Sequence, residues 1–404
     1  MKKTFFATAS ILVLAACSST QSSNTSTVSS PVEKQAPNSS QYKPAFEGQT
    51  RIAGIKTATT YATKMVTGAL VKPWSMAALP DGRFLITQKE GMFRIVLPNG
   101  TLSSNISGAP KLDAAGQGGL LGVIIDPDFT TNRMIYFVFS EPVAGGNHAA
   151  VAKARLREDE TAVENVSVIY RVTPTYKGNL HNGGKLAFTN DGNLFFATGE
   201  RSDTETRPLA QDNTTTLGKI LLITKTGQAV TDPLMPPQPN NRPEIFSSGH
   251  RNPLGIAIHP TTGELWEAEM GPKGGDEINI IRRGKNYGWP VITYGIEYSG
   301  ETIGEGLTQK AGYEQPVYYW DPAISPGGIA FYTGTNIPEW NNNLFVASLS
   351  ARHIIRLQLN GNKIVGEERL LESENQRFRD VCMGKDGKLY AITDAGRMYC
   401  LGKE

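Results

Sequence analysis

Six short cassettes recur along this chain, each a turn rich in Asp, Asn or Gly, then an alternating apolar run, then a polar tip. They are Pro80–Thr87, Asp126–Phe139, Asn190–Thr198, His259–Ala268, Trp340–Ala347 and Lys385–Ile392. A unit this short exposes an apolar face that it cannot cover alone, whereas a closed ring of such units covers every face. The pattern therefore predicts an all-β protein, a six-bladed β-propeller with a polar axis where a cofactor or metal can sit.

Cassette starts near 80, 126, 190, 260, 339 and 385 are 46, 64, 70, 79 and 46 residues apart. A minimal four-stranded blade needs about 40 to 50 residues. The surplus falls around 200–216, 227–244 and 294–318, stretches rich in Pro, Gly, Thr or Asn, and predicts long loops on one face. No linker-like stretch follows Arg51, so residues 51–404 read as one domain. Cys382 and Cys400 fall on the first and third strands of one blade, which are not neighbours, so both are expected buried and unpaired.

The first residues read as a targeting signal. Lys2 and Lys3 precede a short apolar stretch, Thr4–Val13, and Leu14-Ala15-Ala16-Cys17 ends it. This resembles a bacterial lipobox, which implies cleavage after residue 16, lipidation of Cys17 and a membrane anchor. Ser18 follows rather than Asp, which favours the outer membrane facing the periplasm. Residues 17–50, rich in Ser, Thr, Asn, Gln and Pro, read as a flexible tether. The formal charge is +2, from 40 basic and 38 acidic residues. Such balance argues against nucleic acid as a partner, because phosphate binding needs clustered cations.

Propellers host many unrelated activities, so the chemistry has to come from particular residues. His181, in Leu180-His181-Asn182-Gly183-Gly184-Lys185-Leu186, is a candidate general base. Arg251 and Asn252, in Gly249-His250-Arg251-Asn252-Pro253, stand at a strand entrance, and Arg offers a planar fork to carboxylates or quinone oxygens. Glu269-Met270-Gly271-Pro272-Lys273-Gly274-Gly275-Asp276-Glu277 can turn hard oxygens toward calcium. Gln117 sits in Gly116-Gln117-Gly118-Gly119-Leu120-Leu121-Gly122. Arg377 and Arg379 lie on one face of an extended segment and suit a polyanionic ligand.

In this order the motifs GQGGLLG, HNGGKL, GHRNP, MGPKGGDEIN with NYGWP, and RFRD resemble the soluble quinoprotein aldose dehydrogenases. These are the glucose/sorbosone dehydrogenase-like six-bladed propellers that bind pyrroloquinoline quinone (PQQ), and the resemblance runs from about 70 to 395. It implies that Gln117, Arg251, Asn252, Arg377 and Arg379 hold PQQ, with Tyr298 a further candidate. It implies that Gly271 and Pro272 give carbonyl oxygens to calcium, and that Glu277 and Tyr287 match a second calcium position. His181 matches the catalytic base, which would take the proton of an anomeric hydroxyl while hydride passes to the quinone, with Arg251 steadying the oxyanion. The product would be an aldonolactone, and an unidentified acceptor would take the electrons from a monomer or weak dimer. Where the glucose-specific relative has Asp before the histidine, this chain has Leu180, which implies a broader sugar range. That relative's cofactor-binding Lys has no counterpart between Pro326 and Thr333. Two other readings of the residues are a calcium-dependent propeller lactonase and a non-enzymatic carbohydrate-binding propeller.

Overall fold

The structure is a computed structural model that describes Met1 and residues 30–403, except 235 and 237. Cys17 and residues 2–16 of the expected signal lie outside the described residues. The rest forms six antiparallel sheets, arranged as the blades of a propeller. Blade one is Pro73–Ala78, Phe84–Gln88 and Met92–Val96, and blade two is Leu120–Ile125, Met134–Val143, Gly146–Leu156 and Val163–Arg171. Blade three is Gly183–Phe188, Leu194–Thr198, Lys219–Ile223 and Ile245–Ser248. Blade four is Pro253–Ile258, Leu265–Glu269, Asp276–Ile281 and Tyr318–Trp320. Blade five is Pro326–Phe331, Leu344–Ser348, Ile354–Asn360 and Lys363–Leu370. Blade six takes Phe378–Met383, Leu389–Thr393 and Met398–Gly402 from the end of the chain and its outer strand, Ala62–Thr67, from the beginning.

Each cassette proves to be the turn after a blade's first strand together with its second strand. Their alternating apolar runs are explained by the ring, in which both faces of a blade are covered by neighbours. In blade two, Ile135, Phe137 and Phe139 pack toward blade one, while Tyr136 and Val138 pack toward blade three. In blade three, Leu194 and Phe196 face blade two, while Phe195 and Ala197 face blade four. Successive side chains of a strand thus serve two different cores. Cys382 and Cys400 are free, as expected from the cassette spacing, and flank Tyr390 on three adjacent strands, but both are half-buried rather than buried.

Antiparallel order sends the first-to-second and third-to-fourth connections to one end of a blade, and the second-to-third and blade-to-blade connections to the other. The 200–216 insertion is a second-to-third connection of blade three and stands at the latter end. The 294–318 insertion starts at the far end but climbs back, since Ile296 pairs with Lys273 and Glu297 with Arg207. The 227–244 insertion joins the third and fourth strands of blade three, so the expectation that all long loops share one face fails there.

The tether expected through residue 50 is also corrected over its described part. Residues 31–53 lie along blades four and five. Asp321 accepts hydrogen bonds from Asn38 N (2.9 Å), Asn38 Nδ2 (2.6 Å) and Ser39 N (3.2 Å). Glu33 pairs with Arg369 at 2.7 Å, and buried Gln49 accepts from Tyr319 N at 2.9 Å. Hydrogen bonds rather than apolar burial fix this segment, which is why a hydropathy argument overlooks it.

Candidate active site

Gln117, His181, Arg251, Asn252, Gly271, Pro272, Arg377 and Arg379 all come from blade-to-blade or second-to-third connections, or from the strand starts beside them. They gather at one end of the ring. A cavity of about 180 Å³ is lined there by Gln117, Asn182, Arg377, Arg379 and Lys89, with Trp74, Leu254, Met270 and Leu349 as apolar walls.

His181 is held from three sides. Its N–H donates to Gln117 Oε1 at 2.9 Å, its carbonyl accepts from Arg201 N at 3.3 Å, and Nδ1 lies 2.7 Å from Glu200 Oε1. A carboxylate only accepts, so the proton sits on Nδ1 and the Nε2 lone pair is left to take a proton. Nε2 has no hydrogen-bond partner among the described residues. Burial pushes the imidazole below its ordinary pKa; the Glu200 hydrogen bond opposes this and the Arg251 charge adds to it. His181 has φ +42°, a left-handed conformation that is costly for a residue with a side chain and is held here by its surroundings. Gly199 is required beneath it: a Cβ there would stand 2.2 Å from the His181 carbonyl oxygen.

Arg251 is the second anchor. Its N–H donates to Glu269 Oε2 at 2.6 Å, and Nη1 donates to the carbonyls of Met270 (2.9 Å) and Gly271 (2.6 Å). The guanidinium lies over the Trp289 ring at 5.2 Å. The Gly271 carbonyl thus already faces a cation, which is the behaviour asked of a calcium ligand. Asp276 shapes that loop by accepting from Gly271 N (2.7 Å), Ile324 N (2.6 Å) and Ser325 N (2.6 Å). Burial raises the Asp276 pKa to about 7 against the pull of those three bonds.

Arg377 and Arg379 share one carboxylate. Asp394 accepts from Arg377 Nε at 3.0 Å and from Arg379 Nε and Nη2 at 2.8 and 3.1 Å. Two guanidiniums on one carboxylate, with Lys89 in the same cavity, leave excess positive charge toward the opening. Burial, with Lys72 and Arg379 nearby, lowers the Lys89 pKa.

Three expected residues stand differently. Asn252 is fully buried and does not line this cavity; its Oδ1 accepts from Gly183 N at 3.2 Å, so it braces the wall. Tyr298 is 72% exposed, because Glu297 is tied to Arg207 and a turn closed by Gly300 N points the tyrosine outward. The Tyr287 hydroxyl donates to Ile280 O at 2.6 Å and accepts from Arg282 N at 2.9 Å, so only its main-chain carbonyl is open to a metal. Glu277 is buried and, with Tyr287, lines a small pocket beside Arg251 and Gly271. Burial, with Glu269 close by, holds its carboxyl well above the usual range. Sequence reasoning missed Glu200, Asp394, Lys89 and Trp74. The signal for Glu200 was an acidic residue two positions after the Thr198 tip of a cassette.

The Glucose / Sorbosone dehydrogenase family model matches residues 70–400. The chain belongs to this family. It is 40% identical to the aldose sugar dehydrogenase YliI of Escherichia coli (strain K12) over 338 residues, 83% of this chain and 90% of that protein. The crystal structure of the soluble aldose sugar dehydrogenase of Escherichia coli in its apo form superposes with a TM-score of 0.80 at 39% identity, covering 85% of this chain and 99% of that one. The PQQ-bound aldose sugar dehydrogenase of Streptomyces coelicolor gives a TM-score of 0.70 at 28% identity, covering 86% and 99%. Within the family frame, the residues that line the cavity are drawn from all six blades, whereas Arg251 and Gly271 do not line it but line a smaller pocket that shares Met270 with it.

Proposed function

We propose that this protein is a PQQ-dependent dehydrogenase that oxidises aldose sugars at the anomeric carbon to aldonolactones. The observation that carries this reading is the pairing of a Glu200-anchored imidazole with an electropositive, apolar-walled cavity. The residues fit a flat, multiply anionic ligand: Arg377, Arg379 and Lys89 answer its carboxylates, and Trp74 and Leu254 offer faces to its rings. Gly271 and Pro272 would supply carbonyl oxygens to calcium, a hard cation. PQQ, when bound, supplies the two-electron acceptor for the sugar's hydride.

The chain's own part is proton handling and orientation. His181 Nε2 takes the proton of the anomeric hydroxyl, and Glu200 steadies the imidazolium that results. Arg251 lies beside the Gly271 loop and stabilises the developing oxyanion. Leu180, 39% exposed immediately before the base, offers no carboxylate to a particular sugar hydroxyl, which favours a broad aldose range.

Apoprotein supplied with PQQ, calcium, an aldose and an artificial acceptor is expected to reduce the dye only when both additions are present. Lactone hydrolysis with calcium alone, and no quinone-dependent reduction, would replace this reading with a hydrolase. We further propose lipid attachment at Cys17 and an outer-membrane location, on the Leu14-Ala15-Ala16-Cys17 motif. Cys17→Ser is expected to move the protein from the membrane fraction to the soluble one; unchanged membrane recovery would refute the anchor.

A further inference from the structure

Below Arg251, blade four carries a buried group of carboxylates that the proposed catalysis does not use. Glu267 faces Asn279, and Glu269 faces Glu277, on alternate rungs of the ladder between its second and third strands. Residues two apart point the same way, so all four side chains share one face. All four are buried. The Asn279 Nδ2 lies 3.1 Å from Glu267 Oε2, 3.4 Å from Glu269 Oε1 and 3.2 Å from Glu277 Oε2, and its two hydrogens cannot serve three carboxylates. Among the described residues no Lys or Arg side chain pairs with any of the three.

His250 closes the group. It is fully buried, its Nε2 is 2.8 Å from Ser247 Oγ, and its ring stacks on Tyr287 at 5.0 Å. These contacts fix the ring with Nδ1 3.7 Å from Glu269 Oε1, too long for a hydrogen bond. Among the described residues Nδ1 has no hydrogen-bond partner, and neither do Glu267 Oε1 and Asn279 Oδ1. Buried polar atoms are almost always satisfied, so three orphans in one cluster call for a missing partner. One cation answers the group together, since one ligand atom each from His250, Glu267 and Glu269 lies within 4.8 Å of the others.

We propose that His250, Glu267 and Glu269 bind one divalent first-row metal ion, of the zinc or manganese class, inside blade four. An imidazole nitrogen with two carboxylates suits such an ion better than calcium, which takes oxygen ligands. The donor set is distinct from the Gly271 and Pro272 carbonyls. Ser247 supplies the hydrogen bond that typically fixes the far nitrogen of a metal-bound histidine. A small pocket beside Arg251 reaches Glu269, one of the three donors, and Glu277. The ion would tie the connection carrying Arg251 to the second strand of blade four.

The test uses the full-length protein without PQQ, so its outcome is independent of the proposed activity. Metal content is measured as purified, and again after refolding with zinc, manganese or calcium chloride and desalting. About one equivalent of zinc or manganese is expected in the wild type. Glu267→Gln, which keeps the shape and removes the charge, is expected to hold at least tenfold less and to lose the rise in melting temperature that the metal gives the wild type. Wild-type protein without a first-row metal under every condition, or with calcium as its sole ion, overturns the proposal. So does a Glu267→Gln protein with wild-type metal content, or one that melts above the metal-loaded wild type.

Discussion

Replacing His181 with Ala is expected to leave PQQ retention intact while lowering turnover by about 10²- to 10⁴-fold, the range a positioned general base contributes. The imidazole does not line the cofactor cavity itself; its neighbours Asn182 and Gly183 do. Removing the ring therefore costs proton transfer more than binding. Burial, the largest influence on its pKa, favours the neutral ring, and only neutral imidazole can accept the proton. Turnover should accordingly stay level toward neutral pH and fall only as pH drops below the ordinary imidazole value of about 6.5. Glu200→Gln separates anchoring from simple bulk. The glutamine can donate to Nδ1 and so favour the wrong tautomer, which lowers turnover. Losing the carboxylate also lowers the ring's pKa further, so the acid limb of the pH profile should move down. Dye reduction by His181→Ala at the wild-type rate would remove this residue as the base.

The double substitution Arg377→Ala with Arg379→Ala should weaken PQQ binding by about 10²-fold or more, given about 1.5–3 kcal/mol for each hydrogen bond to a charged group. The effect exceeds the loss of two donors. Asp394 is neutralised by these two arginines, and without them it would present a bare carboxylate to an anionic ligand. Equilibrium dialysis against PQQ measures the change. Turnover at saturating PQQ should stay close to wild type, since neither arginine contacts His181 or Glu200. Unaltered PQQ affinity would take both arginines out of the site.

The architecture was readable because one physical requirement repeats six times: every second strand must feed two cores, and that imposes the turn-then-alternation signature. The main site residues were readable for a related reason, as they stand in short connections where Gly, Pro and Asn restrict the backbone. What escaped notice depends on partners distant in sequence. Asp321 holds Asn38 and Ser39, and nothing local in the polar stretch before Arg51 announces that contact. Glu200 and Asp394 matter through His181 and through the arginine pair, which only the closed ring brings near. Where the Tyr298 and Tyr287 side chains stand was not legible, because type and spacing do not fix where a hydroxyl points. A neighbouring ion pair turns the first outward, and the backbone of its own blade captures the second.

Blade six has a temporal consequence. Its outer strand, Ala62–Thr67, is among the first pieces of the folded part to be synthesised, and the strand it pairs with, Met398–Gly402, is among the last. The circle cannot latch until Met398–Gly402 has been made, so growing chains remain open rings with an unpaired edge exposed to other chains. Assembly should therefore be slow and cooperative, and chains truncated before Met398 should aggregate rather than accumulate as smaller propellers.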